Sequence, residues 1–253
     1  VTDPVAPGDS AGSPAGPDAV PLDELPGADG PWAMQLAVRY DKAALPSHAA
    51  VCAAAARAVV TLLADERARS EGEWAAAVRR WRDGRIRKLV RRARGIRWDR
   101  CHELPGVTVD QDGAYVRAFV PLPARPLPPA LDELQVSGTE FPRSTDAEPA
   151  TTPDGTGNAP RPVVTVALRP GLALTTGKAA AQCAHAAQLA WEHLVLAGES
   201  TLLRAWSEDD WRVGIVDDAT PAQWADLADA PIHVVDAGFT EVDGPTETTR
   251  AWW

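Results

Sequence analysis

Cysteine is scarce in this chain of 253 residues: Cys52, Cys101 and Cys183 form an odd set with no C-x-x-C pair. That excludes a disulfide framework and a cysteine-rich zinc site, and it fits a reducing compartment. Long apolar runs are missing too. The longest, Ala49 to Ala64, is broken by Arg57 and is mostly alanine. It falls short of the ~18 residues a membrane span needs and suits a buried helix. No basic stretch followed by an apolar one opens the sequence, so no secretory leader is read there. No His/Cys cluster points to a metal, and no cofactor is expected. Together these absences predict a soluble cytoplasmic protein with no membrane partner.

Charge is unevenly spread. Residues 1–30 hold six acids and no base, and residues 161–253 hold 6 bases against 13 acids. Residues 31–142 hold 18 bases and 13 acids, so the formal charge of −10 averages over blocks of opposite sign. Residues 1–30, dominated by Pro, Gly, Ala and Asp, read as a disordered tail. Residues 143–160, with Pro, Thr, Gly and Asp and no large apolar side chain, read as a linker. A Pro-rich passage, Pro121 to Pro129, closes the first block in extended or polyproline geometry. Two ordered blocks remain, 31–142 and 161–253.

The blocks read as diverged copies of one unit. Each opens with a strand (Met34 to Val38; Val163 to Leu168) followed by an Arg, then an alanine-rich helix holding Cys52 or Cys183. Tryptophans follow at similar spacing, Trp81 with Trp98 and Trp206 with Trp224. Each block then reaches a Gly-x-Thr step, Gly106 to Thr108 and Gly238 to Thr240, before a turn at Gly113 or Gly244. The second block continues as a short helix (Thr201 to Trp206), a strand (Trp211 to Val216), a helix begun by Thr220–Pro221, and a strand (Ile232 to Val235). Strands alternating with helices predict an α/β fold: two related three-layer α/β/α domains, each with a small mixed sheet, arranged as a pseudo-dimer.

Two stretches could carry chemistry. Gly177 to Ala187 reads GKAAAQCAHAA. On a helix Lys178, Gln182 and His185 fall at i, i+4 and i+7 and share a stripe. They offer a cation, an amide and an imidazole near a helix N-terminus that favours an anion. On spacing alone, a solvated Lys and a satisfied core His are the commoner reading. The second stretch, Val234 to Thr248, reads VVDAGFTEVDGPTET and puts Asp236 at the C-terminal edge of an apolar strand, where α/β folds place ligand contacts. On spacing alone, an acidic, Thr-rich loop is the commoner reading.

Together the two stretches resemble the type 2 peptidyl-tRNA hydrolase family. That family's helix carries G-K-x-A-A-Q-[CV]-x-H-A, and its closing part reads D-A-G-x-T, a short turn, then T-x-T. This sequence has GKAAAQCAHA at Gly177 to Ala186, DAGFT at Asp236 to Thr240 and TET at Thr246 to Thr248. The resemblance implies hydrolysis of the ester joining a peptide to the 3′ end of tRNA. It places the catalytic set on Lys178, Asp236, Thr240 and Thr248, with Gln182 and His185 shaping the site. Asp236 would accept a proton from water while Lys178 keeps the carboxylate ionised or polarises the carbonyl. The Thr hydroxyls would position water or the terminal ribose.

An acidic second block is a poor partner for tRNA phosphates, but Arg79 to Arg100 holds eleven bases and two acids. Arg85, Arg87, Lys88, Arg91 and Arg92 are the candidate RNA contacts there, on a helix by apolar spacing or a strand by repeat alignment. The alternative is a solvated face satisfied by neighbouring acids. Aligned on the cysteines, Lys178, Gln182 and His185 correspond to Ser47, Val51 and Ala54. Aligned on Gly-x-Thr, Asp236 corresponds to Leu104 and Thr240 to Thr108. The first block therefore lacks the catalytic set and is expected to be the packing and RNA-binding partner, since the family commonly pairs two identical subunits. The expected function is peptidyl-tRNA hydrolysis. A non-catalytic RNA- or ribosome-associated module, or hydrolysis of another acyl or aminoacyl ester, are the alternatives.

Overall fold

A computed structural model describes residues 22, 24–84, 87–143, 162–237, 241 and 244–253. Most of the expected tail and of the 143–160 linker lie outside these residues, as do Arg85 and Thr240. The tail's expected end is too late, because Leu22 and Leu25 pack on the core and the Trp32 indole donates to the Ala28 carbonyl at 3.0 Å.

The first half runs β1 (Trp32–Arg39), α1 (His48–Ala64), α2 (Ala75–Asp83), β2 (Lys88–Ala93), α3 (Ile96–Arg100), β3 (Gly106–Gln111), β4 (Ala114–Phe119), β5 (Leu122–Pro123) and α4 (Pro129–Asp132). The second runs β6 (Val164–Leu168), α5 (Thr176–Leu196), α6 (Ser200–Glu208), β7 (Val213–Val216), α7 (Pro221–Asp226), β8 (Ile232–Asp236) and β9 (Thr246–Trp252). The sheets are ordered β2-β1-β4-β3, with β5 also on β1, and β7-β6-β9-β8. In each, the first strand lies between a parallel neighbour and an antiparallel hairpin. The same order with the same directions makes the halves two related α/β units. Trp81 and Trp206 occupy the same place in each, both fully buried. Each indole donates to the carbonyl six residues on, Arg87 at 3.0 Å and Arg212 at 2.8 Å.

Alanine explains how the halves meet. It is the best helix former and adds no bulk. Ser47 caps α1 through the Ala50 N–H, and Thr175 caps α5 through the Lys178 N–H. The two helices pack on each other between the sheets, with Ala54, Ala55, Ala58, Ala180, Ala184 and Ala187 all fully buried. Side chains of both halves, from Leu36 and Val59 to Val166 and Trp206, therefore form one continuous core. The outer face of the first sheet is closed by Trp98, Leu131 and Leu134 against Ala37 and Phe119. On the second, the outer helix α7 places Trp224 against the Arg250 guanidinium at 4.3 Å. Among the described residues no helix is long and apolar enough to cross a membrane.

One reading left open is decided, and one alignment differs from expectation. Residues 88–93 are a strand paired in parallel with β1 from Met34↔Lys88 to Arg39↔Ala93. The Gly-x-Thr steps are not equivalent. Val107 faces Ala118 as Ile232 faces Ala251, so Gly106–Thr108 lies inside β3, whereas Gly238 follows the end of β8. By this register the counterpart of Asp236 is near Gln111, not Leu104. Hydrogen-bond register decides the match, and a three-residue pattern does not.

Candidate functional site

Three elements of the second half converge. Lys178 stands in the first turn of α5, Asp236 ends β8, and Thr248 comes from β9. Lys178 Nζ lies 2.5 Å from Asp236 Oδ2, with the side chains only 16% and 12% exposed. The Gln182 amide donates to the same oxygen at 2.6 Å. Thr248 Oγ1 in turn donates to Gln182 Oε1 at 2.9 Å and approaches the Val234 carbonyl at 3.3 Å. One carboxylate oxygen thus receives a cation and an amide, and the amide is oriented by a fully buried hydroxyl.

A bulge produces this alignment. Val234 pairs with Thr249 and Val235 with Glu247, leaving Thr248 as an extra residue on β9. Without it, Thr248 and Thr249 would point to opposite faces; with it, both are fully buried. The equivalent hairpin β3–β4 is regular from Gly106↔Phe119 to Gln111↔Ala114. The device belongs to the second half alone.

The N-terminus of α5 is closed by two carboxylates. Glu241 accepts from the Thr175 N–H at 2.8 Å and its hydroxyl at 2.7 Å. Glu140, from the first half, accepts from the Thr176 N–H at 3.2 Å and hydroxyl at 3.1 Å. The anion that the helix end favours is therefore the chain's own. The strap around Glu140 lies close: the Gly177 N–H donates to the Thr139 carbonyl at 3.0 Å. A Cβ on Gly177 would sit 3.1 Å from that threonine's Cβ. Buried His48, at the start of α1, contacts Thr176 Oγ1 through Nδ1 at 3.0 Å.

His185 is not in this cluster. It faces the first half, where Lys88 Nζ is 3.2 Å from its Nδ1 and also donates to Gln188 Oε1. Removal from water drives the imidazole down to about 3, with Lys88 adding to the effect, and the ammonium down to about 7. Arg82 of α2 pairs with Glu192 of α5 at 3.0 Å beside them.

Of the expected RNA contacts, Lys88 thus serves the joint between the halves. Arg91 is buried, donating to Gln35 Oε1 and the Leu134 carbonyl, both at 2.9 Å, and loss of solvent lowers its pKa. Arg92 clamps the strap, donating to Gln135 Oε1 at 3.0 Å and the Gly138 carbonyl at 3.1 Å. Arg87 is exposed, and Arg85 and Thr240 lie outside the described residues. The alternation of a strand turns alternate residues inward, which is why a run of bases does not make a continuous basic face here. Sequence reasoning missed Glu140, Glu241 and His48. Only Thr175–Thr176, a helix-start signal, hinted that the α5 terminus would draw partners.

Among the described residues no group of three or more His, Cys, Asp or Glu side chains is arranged to hold a metal. No family model, curated protein or solved structure matches the chain.

Proposed function

We propose that the second half hydrolyses the ester of peptidyl-tRNA, releasing free tRNA and peptide. The observation that carries this reading is the chain Thr248–Gln182–Asp236–Lys178, in which Lys178 and Gln182 meet on one oxygen of Asp236 and Thr248 orients Gln182. Asp236 takes the proton of an attacking water. Gln182 and Thr248 fix the carboxylate plane. Lys178 balances its charge and, as the ester carbon becomes tetrahedral, stabilises the developing oxyanion. This residue set belongs to the second half alone: Ser47, Val51, Gln111 and Tyr115 stand at or near the corresponding places in the first.

A second reading, a non-catalytic RNA-associated module, is favoured by the α5 terminus, where Glu140 and Glu241 occupy the N–H groups that a substrate anion would use. Turnover separates the two. Release of tRNA from peptidyl-tRNA is measured for the intact chain, Lys178→Ala and Asp236→Ala. A fall of about 10²-fold or more in both folded variants matches loss of general-base help. Tight tRNA binding without turnover by the intact chain selects the module.

A further inference from the structure

The bases expected to bind RNA as one run are divided by the fold, and a different set is left on the surface. At the C-terminal ends of the parallel strands β1 and β2, Arg39, Tyr40, Lys42, Arg94 and Trp98 line a cleft of about 450 Å³. Arg94 also walls an adjoining hollow of about 210 Å³ with Arg92, Arg97 and Gln135. Ligands of open α/β sheets bind at such strand ends.

Aromatic rings hold the guanidinium groups in place. Arg94 lies over Tyr40 at 4.2 Å, Arg92 over the same ring at 5.8 Å, and Arg39 over Tyr115 at 5.3 Å. The acids nearby are fewer. Asp41 stands 3.9 Å from Arg39, Glu133 is shared between Arg97 and Arg100 at 3.7 and 3.2 Å, and Asp99 lines the cleft. The second half reverses the sign at the matching place, where β7 is followed by Asp217 and Asp218. A chain of net −10 thus concentrates cations at one strand edge.

This edge is joined to the candidate site. Tyr40 packs on Phe141, ring centres 5.2 Å apart. The Phe141 N–H donates to Thr176 Oγ1 at 3.1 Å, two residues before Lys178. The strap clamped by Arg92 therefore runs from the cleft to the first turn of α5.

We infer that this cleft in the first half, built on Arg39, Lys42 and Arg94 and continued by Arg97 of the adjoining hollow, binds the phosphodiester backbone of RNA. It is the docking surface for the tRNA portion of the substrate handled by the second half. The identity of the RNA as tRNA rests on the proposed hydrolase reading; binding of a polyphosphate backbone does not. Planar guanidinium forks match phosphate oxygens in pairs. Fixing them on aromatic rings also reduces the freedom they lose on binding.

The test is binding of deacylated tRNA to the full chain over a series of salt concentrations. The intact protein is compared with Arg39→Gln/Arg94→Gln, Lys42→Gln and, as a control on α6, Arg204→Gln. All four side chains are exposed, so folding is not at risk. The double variant is expected to bind at least tenfold more weakly. Its log affinity should fall less steeply with log salt, by roughly 1.4–1.8 for two lost phosphate contacts. Lys42→Gln should weaken binding less, and Arg204→Gln should stay within twofold. The inference is overturned if the double variant binds like the intact chain, or if the intact chain fails to bind tRNA at low salt. Polyglutamate displacing bound tRNA better than competitor RNA does would also overturn it, and would assign the cleft to an acidic protein. Deacylated tRNA keeps this test separate from turnover. Binding that depends on the cleft in a chain without hydrolase activity sinks the hydrolase reading alone, and turnover with cleft-independent binding sinks the cleft alone.

Discussion

Thr248→Val tests the hydroxyl that the bulge delivers to the site. Valine keeps the shape of threonine and removes only the hydroxyl that donates to Gln182 Oε1 at 2.9 Å. Thr248 is fully buried and Gln182 is 8% exposed, so water has little access to replace that donor. An acceptor left unsatisfied inside a protein costs about 1–3 kcal/mol. For a chain of this size the loss lowers Tm by roughly 2–12 °C. The consequence for chemistry is separate. With Oε1 released, the Gln182 amide loses its anchor and holds the Asp236 carboxylate less firmly across the 2.6 Å bond. A carboxylate that loses its orientation should release tRNA at least tenfold more slowly, about 1.4 kcal/mol in barrier. The assays are urea unfolding, read as a midpoint shift at constant slope, and single-turnover release. Thr248→Ser keeps the hydroxyl and should restore most of both. Unchanged stability and unchanged release in Thr248→Val would refute the reasoning.

Two further outcomes follow from the fold. Lys88 holds its proton less tightly when folded, about 7 against ~10.4 unfolded, and His185 about 3 against ~6.5. In both windows the unfolded chain binds more protons, so stability should rise with pH from about 3 to 6.5 and again from about 7 to 10. Each group contributes up to ~1.4 kcal/mol per pH unit; urea midpoints against pH would show a flattened upper limb in Lys88→Met, and an unchanged limb would contradict the assignment. Gly106→Ala brings a Cβ to 2.2 Å from the Ala118 carbonyl oxygen across the β3–β4 ladder. It should lose about 1–3 kcal/mol by overpacking, and a urea midpoint equal to that of the intact chain would show the ladder to be looser than described.

The architecture was legible because local signals agreed. Thr220–Pro221 announced a helix start, and the structure adds the reciprocal bond from Gln223, a capping box. The alanine runs around Cys52 and Cys183 marked the two central helices, and the tryptophan spacing marked the repeat. What failed depended on register or on distant partners. Gly-x-Thr recurs in both halves at positions that are not equivalent, since only the pairing of β3 with β4 and of β8 with β9 fixes them. The segment 85–94 did not fail but stayed open between helix and strand, and pairing with β1 decided it for residues 88–93. His185 shared a helical stripe with Lys178 and Gln182, but it lies seven residues beyond Lys178, over the joint with the first half. No periodicity shows that Glu140, at the edge of the expected linker, reaches the start of α5.

The central claim is that one carboxylate oriented by Gln182 and Thr248 performs an ester hydrolysis which the first half cannot. Single-turnover release of tRNA by the intact chain and by Asp236→Asn addresses it most directly, since asparagine keeps the shape and removes the base. The account predicts measurable release by the intact chain and a loss of about 10²-fold or more in the variant. Equal release by both, with the variant folded, would contradict it.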